Sequence, residues 1–200
     1  MTASESVARR RLEPDARRAE ILDAALRIYA ERPYADVSTS ELAREAGVAR
    51  GLLNHYFGTK RGLYLTALRH LLTIPVQAAA DLPGRTRAER AGAAVDWFLD
   101  TVAARRGLWL SVGVGGAGGD PEVDAVVEDA DETAADRVIA ALLPCRDPQD
   151  EALRARVRAY FGLVRAASRE WLVRGSLDRE GVRELLVTAL VALLPATEDP

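Results

Sequence analysis

The sequence predicts an all-α protein of about nine helices, and two observations support this prediction. Apolar residues recur at helical spacing along nearly the whole chain, and proline or glycine stands where most helices should end. Segments with the strict alternation of a half-buried strand are almost absent. With 48% apolar and 28% charged residues among 200, the composition is that of a globular protein that can bury a core.

The composition also excludes several protein classes. A single cysteine, Cys145, cannot form an internal disulfide and is typical of a reducing compartment. No apolar run approaches the ~18–20 residues that a membrane span needs. Residues 1–18 lack the apolar segment of a signal peptide. We therefore expect a cytoplasmic protein without a membrane partner.

Capping residues and helix breakers indicate where the elements lie. Residues 1–15 are arginine-rich, have no apolar pattern and indicate a flexible basic arm. Asp120 before Pro121 and Asp178 after Gly175 have the chemistry of helix starts and stops. The expected helices span about residues 16–31, 38–46, 50–56, 60–80, 86–106, 120–143, 150–174 and 179–194. From Glu184 to Leu194 the last helix is apolar on nearly all sides, so it needs burial that a partner subunit could provide.

The segment from Ser38 to Phe57 has the pattern of a helix-turn-helix. Ser38 and Glu41 form a predicted capping box at the start of a short helix. Gly47, which can adopt the left-handed conformation, begins a three-residue turn, and a second short helix spans Arg50–Tyr56. Two short helices joined in this way can place the second helix in the major groove of DNA.

The second short helix has an outer face suited to bases. Leu53 should point to the core, which leaves Arg50, Gly51, Asn54 and His55 near the outside. Arginine can pair bidentately with guanine and asparagine with adenine. A glycine in this position allows the helix backbone to approach DNA closely.

Lys60 is the only lysine of the chain, and it begins the next helix behind Thr59, a predicted N-cap. A cation at a helix N-terminus opposes the helix dipole, typically by a few tenths of a kcal/mol. We therefore expect this position to be favourable only when an anion, such as a DNA phosphate, docks there. The charge distribution agrees, because residues 1–70 have a net charge of +3 and residues 71–200 one of −6.

Residues 17–65 contain a further set of positions with defined order and spacing. These positions are Ile21–Ala25, Val37–Thr39, Leu42 and Ala43, Ala46–Val48, Gly51, Tyr56 and Phe57, Lys60 and Leu63. Together they resemble the DNA-binding domain of TetR/AcrR-type transcriptional regulators.

The resemblance implies an all-helical homodimer with two functional parts. Residues 16–62 would form a three-helix head that binds a palindromic operator on double-stranded DNA. Residues 63–200 would form a helical-bundle body that binds a small-molecule effector and dimerises through its last two long helices, about residues 150–174 and 179–194. Such proteins are usually repressors that the effector releases from DNA.

The resemblance also assigns DNA contacts by position. The residues expected at phosphates are Thr39, Tyr56 and Lys60, and Ser38 is also expected at the DNA-binding surface. The residues expected at base edges or the nearby backbone are Arg50, Gly51, Leu52, Asn54 and His55. Position 49 departs from the family, which often has a serine or threonine there that caps the helix and contacts a phosphate. Because this chain has Ala49, we do not expect that contact.

The effector pocket is expected among aromatic side chains of the body. Such side chains can line an apolar cavity between helices, with a few polar groups that orient the ligand. The candidates are Trp97, Phe98, Trp109, Tyr160, Phe161, Arg165, Ser168 and Trp171. Each aromatic residue on its own is more typical of a core. The acidic residues of the helix after Asp120, Asp131 among them, are expected to face solvent.

Two other functional classes remain open at this stage. One is a DNA-binding dimer without effector control, whose body serves only for dimerisation. The other is an enzyme with a nucleotide cofactor, because Gly113 to Gly118 match G-x-G-x-x-G after the segment LWLSV, although no second strand of a βαβ unit is visible. Two histidines and one cysteine give no convincing metal or nucleophile set, so we expect no metal, no cofactor and no enzymatic activity.

Overall fold

The computed structural model describes residues 14–75, 79–113, 120–147 and 149–195, and these contain nine α-helices and no strand. The prediction of an all-α fold is therefore confirmed. The helices are α1 Pro14–Glu31, α2 Thr39–Glu45, α3 Arg50–Phe57, α4 Lys60–Leu72, α5 Arg87–Ala104, α6 Arg106–Gly113, α7 Pro121–Leu142, α8 Glu151–Arg169 and α9 Arg179–Leu193. A 3-10 turn spans Tyr34–Asp36, and a π-helical turn, Glu170–Arg174, follows α8.

Helices α1 to α4 form an N-terminal unit, here termed the head. Helix α1 packs against α2 and α4, and α3 packs against both of these. Ile21, Ala25 and Tyr29 lie four residues apart on one face of α1 and are almost completely buried. Leu53 of α3 and Leu63 of α4 complete this core. The apolar spacing of the sequence therefore explains why these short helices pack together.

Helices α5 to α9 form the rest of the bundle, here termed the body. Helix α9 packs against α5 and α8, while α7 packs against α5 and α8. Leu99, Ile139, Val157 and Leu186 come from four different helices and are almost completely buried. Burial of a side chain of this size contributes about 1.5–3 kcal/mol relative to its exposure. This core holds the body helices in place.

Helices α6 and α7 connect the body to the head. Helix α6 packs against α1 and α4, and α7 packs against α4. At Gly107 of α6, a Cβ atom would lie 2.4 Å from the carbonyl oxygen of Ala30 and 2.8 Å from that of Tyr29. Because these atoms belong to the backbone of α1, any side chain at position 107 would push the two helices apart. Glycine therefore sets the distance between head and body.

Three tyrosines fill the space beside this contact. The ring centroids of Tyr29 and Tyr64 are 5.2 Å apart in an edge-on arrangement, and those of Tyr34 and Tyr64 are 4.6 Å apart. The Tyr64 hydroxyl donates to Oγ of Ser111 on α6 at 2.8 Å. The Tyr29 hydroxyl is buried without a hydrogen-bond partner in the described part of the chain. Burial, with smaller contributions from the other two tyrosines, raises the pKa of Tyr29, so its hydroxyl stays neutral.

Helix α4 ends earlier than predicted. The sequence pattern suggested a helix to about Ala80, whereas α4 ends at Leu72 and Thr73 has an extended conformation. Pro75 explains the difference, because proline disfavours a helical conformation in the residue before it and cannot donate an amide hydrogen bond. Residues 76–78 of the predicted helix lie outside the described residues.

The helix predicted over residues 86–106 is in fact two helices. Arg105 leaves the helical conformation, with φ −131° and ψ 39°, and α6 begins at the next residue. No proline marks this break. The break places Gly107 in a separate helix, α6, where it contacts the backbone of α1.

The strand required for a nucleotide-binding fold is not formed. Leu108 to Val112, the segment before the glycines, belongs to α6. A dinucleotide site needs a strand, a glycine-rich turn and a helix in that order. Gly113 is the last residue of α6, and residues 114–119 lie outside the described residues. The alternative of a nucleotide-cofactor enzyme therefore lacks the strand that it requires before the glycines.

Replacing two of the buried tyrosines by phenylalanine should have different effects on stability. Tyr64→Phe removes the hydrogen bond to Ser111, so we expect the free energy of unfolding to fall by about 0.5–1.5 kcal/mol. Tyr29→Phe removes a buried hydroxyl that lacks a partner, so stability should be unchanged or higher. Urea unfolding followed by circular dichroism measures both. Equal destabilisation in the two variants would show that the Tyr29 hydroxyl does have a partner.

Candidate nucleic-acid interface and ligand cavity

The predicted capping box is present at the start of α2. Oγ of Ser38 accepts a hydrogen bond from the Glu41 amide at 3.1 Å, and the Glu41 carboxylate accepts one from the Ser38 amide at 2.8 Å. Arg32 donates to the same carboxylate at 2.7 Å. The hydrogen bond from Arg32, followed by those from Ser38, lowers the pKa of Glu41 to about 2. Ser38 is exposed and Thr39 is half-buried. The capping box therefore fixes the start of α2, where both residues lie.

The turn between α2 and α3 also has the predicted form. Gly47 has a φ of +64°, which a residue with a side chain rarely adopts. The amide of Val48 donates to the carbonyl of Ala43 at 2.9 Å, and Val48 packs against the core. Gly47 therefore fixes the direction in which α3 leaves α2.

Helix α3 presents its polar residues to solvent. Leu53 is 3% exposed and anchors the helix to the core, as predicted. The exposed residues are Arg50, Gly51, Asn54 and His55, and the half-buried residues at their margin are Leu52 and Tyr56. All the residues predicted to meet base edges thus lie on α3, and Leu53 anchors the opposite side of this helix to the core.

The start of α3 is open to an external molecule. A Cβ atom at Gly51 would meet no described atom within 4 Å, so packing within the chain does not require glycine there. Glycine costs about 1 kcal/mol in a helix relative to alanine. Ala49 precedes the helix and gives no side-chain cap, which leaves the first amide groups of α3 without that acceptor. Both features favour close approach by another molecule.

Lys60 is half-buried and contacts Tyr34. Its ammonium group donates to the Tyr34 carbonyl at 2.7 Å and lies 4.1 Å from the centroid of the Tyr34 ring. The expectation that only an anion would make this position favourable was wrong, because a carbonyl oxygen and an aromatic face also stabilise the charge. Thr59 caps α4 as predicted and accepts from the Gly62 amide at 3.0 Å.

Arg61 links the head to the body through charge. Its guanidinium pairs with Asp120 and, at 3.1 Å, with Glu122, and both carboxylates lie at the start of α7. The same guanidinium lies 5.6 Å from the rings of Tyr34 and Tyr64. Arg61 is therefore already paired with carboxylates of the body.

A cavity opens inside the body, next to the end of α4. It has a volume of about 120 Å³, and its walls are almost entirely apolar. Leu71 and Leu72, in the last turn of α4, form part of the wall. The helix that begins at Lys60 therefore ends at this cavity.

Six of the eight residues predicted to bind an effector line this cavity. They are Trp97, Phe98, Trp109, Tyr160, Phe161 and Arg165. Ser168 and Trp171 are not part of its wall. The Ser168 hydroxyl is buried and donates to the Val164 carbonyl at 2.8 Å. Trp171 packs against the core from the π-helical turn.

Three charged side chains line the cavity. Arg165 and Asp131 form a bidentate ion pair with both N–O distances at 2.9 Å. The prediction that Asp131 faces solvent was therefore wrong, because its side chain is only 19% exposed. The third charge is Arg137, whose Nη1 atom is buried without a hydrogen-bond partner in the described residues.

Arg137 is the residue that the sequence analysis missed. It lies three residues after Ala134 and four before Ala141, and all three line the cavity. Residues at this spacing share one face of a helix. A lone arginine on a face of small apolar residues was the available signal.

The described residues give no support for a metal site or for a membrane-spanning helix. Among them, no three His, Cys, Asp or Glu side chains are grouped so that they could hold a metal ion. None of their helices is long and apolar enough to cross a membrane.

The head and the body each match a known family model. A model described as bacterial regulatory proteins of the tetR family matches residues 21–67. A second, described as a tetracyclin repressor-like C-terminal domain, matches residues 88–193, which is more than half of the chain. The chain belongs to the TetR family. The resemblance seen in residues 17–65 is confirmed, and it extends into the body.

A curated relative is similar over part of its length. The HTH-type transcriptional regulator BetI of Brucella anthropi is 43% identical over 74 residues. This match covers 37% of the present chain and 38% of BetI. The chain thus spans little more than a third of the relative that it matches.

Solved structures share the fold over most of the chain. A TetR-family regulator from Streptomyces coelicolor has a TM-score of 0.73 at 24% identity, covering 91% of this chain and 82% of that one. FadR from Bacillus subtilis, solved in complex with stearoyl-CoA, has a TM-score of 0.67 at 17% identity, covering 88% of this chain and 99% of that one. At these identities the likeness shows the common TetR fold.

Protonation of Glu41 should contribute to unfolding in acid. Its pKa is lowered from 4.5 to about 2 in the folded chain, so the ionised carboxylate stabilises the fold above pH 4.5. This stabilisation is lost as the pH falls from 4.5 toward 2. Glu41→Gln should therefore flatten the decline of the urea midpoint over that range.

Glu31→Gln is the matched control for this experiment. Glu31 is exposed at the end of α1, outside the capping box. Its replacement should leave the decline of the midpoint nearly unchanged. A decline in Glu41→Gln as steep as in the wild type would contradict the role assigned to the capping box.

Proposed function

We propose that this protein is a dimeric DNA-binding repressor in the cytoplasm, which a small molecule bound in the body releases from a palindromic operator. The observation that carries the proposal is the exposed polar face of α3, opposite the buried Leu53. Membership of the TetR family supports the assignment of that face to DNA. Residues 16–62 would serve DNA binding, and residues 63–200 effector binding and dimerisation.

Base recognition is assigned to α3. Arg50 can donate two hydrogen bonds to guanine, and Asn54 can both donate to and accept from adenine. Each well-formed bidentate contact discriminates against other bases by about 1–3 kcal/mol. Leu52 and His55 would contact neighbouring base edges or sugars. Gly51, with open space before it, would allow the helix backbone to enter the groove closely.

Phosphate contacts are assigned to the ends of three helices. Ser38 and Thr39 lie at the start of α2, Tyr56 lies in α3, and Lys60 begins α4. Oγ of Ser38 accepts from the Glu41 amide, so its own hydrogen is available to a phosphate oxygen. Contacts of this kind position the head on DNA and make the affinity depend on salt.

Dimerisation is assigned to α8 and α9. Ala155, Ala159, Gly162 and Ala166 are exposed and recur every three or four residues along α8. Leu185 of α9 is 40% exposed, which is unusual for so large an apolar side chain in this chain. Two copies related by a two-fold axis would bury these surfaces against each other. The two α3 helices would then read half-sites about one helical turn apart, which requires a palindromic operator.

Effector control is assigned to α4. Its last turn lines the cavity through Leu71 and Leu72, while its first turn holds Lys60 and Arg61. A ligand that fits the cavity in only one position of α4 would favour that position. A shift of α4 would move the two heads relative to each other and change their fit to the half-sites.

Gly51→Leu should separate folding from DNA binding. Nothing in the described chain blocks a side chain at position 51, and leucine is a better helix former than glycine, so stability should be unchanged or higher. Operator affinity should fall about tenfold or more, equivalent to about 1.4 kcal/mol, because the added side chain would meet DNA. The operator is first selected from random duplexes with the wild-type protein, and affinities are then measured by fluorescence anisotropy.

The control for added apolar bulk is Ala125→Leu. Ala125 is exposed on α7 in the body, so this variant should bind the selected operator like the wild type. If Gly51→Leu also bound the operator with wild-type affinity, α3 would not be the helix that enters the groove.

Ala159→Glu should produce a folded monomer. In a two-fold interface each copy would place a carboxylate against the other, and an uncompensated buried charge is strongly unfavourable. Size-exclusion chromatography with light scattering measures the mass, and circular dichroism checks the fold. Ala125→Glu, also on an exposed helix position, should remain dimeric. A dimeric Ala159→Glu variant would place the interface elsewhere.

A further inference from the structure

The polar groups of the cavity are few, and both hydroxyls are already used. Thr101 donates to the Trp97 carbonyl at 2.9 Å. The Tyr160 hydroxyl donates to the Leu186 carbonyl at 3.1 Å. Their hydrogens are therefore not available to a ligand, so a polar group of the ligand would be recognised by the charged side chains and by the indole N–H groups of Trp97 and Trp109.

The charges on the cavity wall do not balance. Arg165 and Asp131 compensate each other through two hydrogen bonds of 2.9 Å. Arg137 remains, and it is the only other charged residue on the described wall. The cavity therefore has one positive charge in excess, in surroundings that are almost entirely apolar.

Arg137 also lacks an acceptor. Its Nη1 atom has no contact with solvent and no hydrogen-bond partner in the described part of the chain. A buried donor without a partner destabilises a folded protein, and more so when it is charged. Such groups are rare in native structures and often mark a place where a further group binds.

A carboxylate is the group that best complements this arrangement. Its two oxygens match the planar fork of a guanidinium, and both hydrogen bonds are strengthened by the opposite charges. Because Nη1 is buried, the Arg137 side chain would rotate to present the whole fork to the carboxylate. The indole and phenyl rings of Trp97, Phe98 and Trp109 lie on the same wall and would surround an apolar portion. Ala134 and Ala141, about one helical turn to either side of Arg137, are small and line the same cavity.

We propose that the cavity binds an apolar monocarboxylate, with the carboxylate on Arg137 and the hydrocarbon part among the aromatic rings. This inference rests on the proposed function, because it names the chemical class of the effector. It requires a positive charge at position 137, and it excludes a cationic ligand as the preferred occupant.

The test compares three probes with the same eight-carbon tail. Octanoate, 1-octanol and octylammonium are titrated into the full-length protein by calorimetry. We expect octanoate to bind about tenfold or more tightly than 1-octanol, and octylammonium to bind most weakly. In Arg137→Met the affinity for octanoate should fall to that for 1-octanol, whereas the affinity for 1-octanol should stay nearly unchanged. Arg146→Met, at an exposed arginine beyond α7, is the control and should bind like the wild type.

The stability of the ligand-free variants gives a second readout. If Arg137 has no hydrogen-bond acceptor until a ligand binds, its replacement removes an unfavourable buried donor. The melting temperature of Arg137→Met should then be equal to or higher than that of the wild type. A purely structural arginine would instead lower the melting temperature when it is replaced. Should Arg137→Met fail to fold, Arg137→Lys keeps the charge, removes the planar fork and should reduce the preference for octanoate over 1-octanol.

The outcomes separate this inference from the proposed function. Equal or tighter binding of 1-octanol or octylammonium would overturn the carboxylate assignment, and so would binding of none of the three at about 1 mM. Release of the selected operator is measured in parallel. Octanoate that binds through Arg137 without releasing DNA would leave the inference intact and contradict effector control. If only 1-octanol or octylammonium released the operator, the carboxylate assignment would be contradicted and effector control would be supported.

Discussion

At Gly107, helix α6 approaches the last turn of α1 so closely that the carbonyl oxygens of Tyr29 and Ala30 leave no room for a Cβ atom. This contact joins backbone to backbone, so a change of side-chain rotamer cannot relax it. The three tyrosine rings fill the remaining space, and Ser111 fixes the hydroxyl of Tyr64. Close-packed interiors have low compressibility. A displacement of α6 would therefore act directly on α1 at this junction.

Helix α4 extends from the proposed DNA-binding surface to the cavity. Lys60 and Arg61 occupy its first turn, Tyr64 lies in the tyrosine junction, and Leu71 and Leu72 line the cavity. The helix is thirteen residues long, about 20 Å at 1.5 Å per residue. A single rigid element of that length can connect ligand binding to DNA contacts without rearrangement of the core of the head. The proposed sensing and DNA-binding functions can therefore share this one helix.

The sequence was informative wherever the physical cause is local. Ser38 with Glu41, and Asp120 before Pro121, act across three or four residues, so their helix ends could be predicted from the chain alone. The helix break at Arg105 and the inward position of Arg137 depend on which helices meet, and no local pattern contains that information. Lys60 was misjudged for the same reason, since its carbonyl partner lies 26 residues away. The aromatic wall of the cavity was largely predicted, but its charges were not.

The ion pairs of Arg61 affect how the head would respond to salt. Its guanidinium is shared with Asp120 and Glu122, so the net charge of +3 in residues 1–70 overstates the positive charge available to phosphates. Salt screens these exposed ion pairs and also weakens contacts with phosphates. The salt dependence of DNA affinity would then combine counterion release from DNA with the weakening of the Arg61 ion pairs between head and body. Because the salt that weakens phosphate contacts also frees Arg61 from its two carboxylates, the slope of that dependence would not equal the number of phosphate contacts alone.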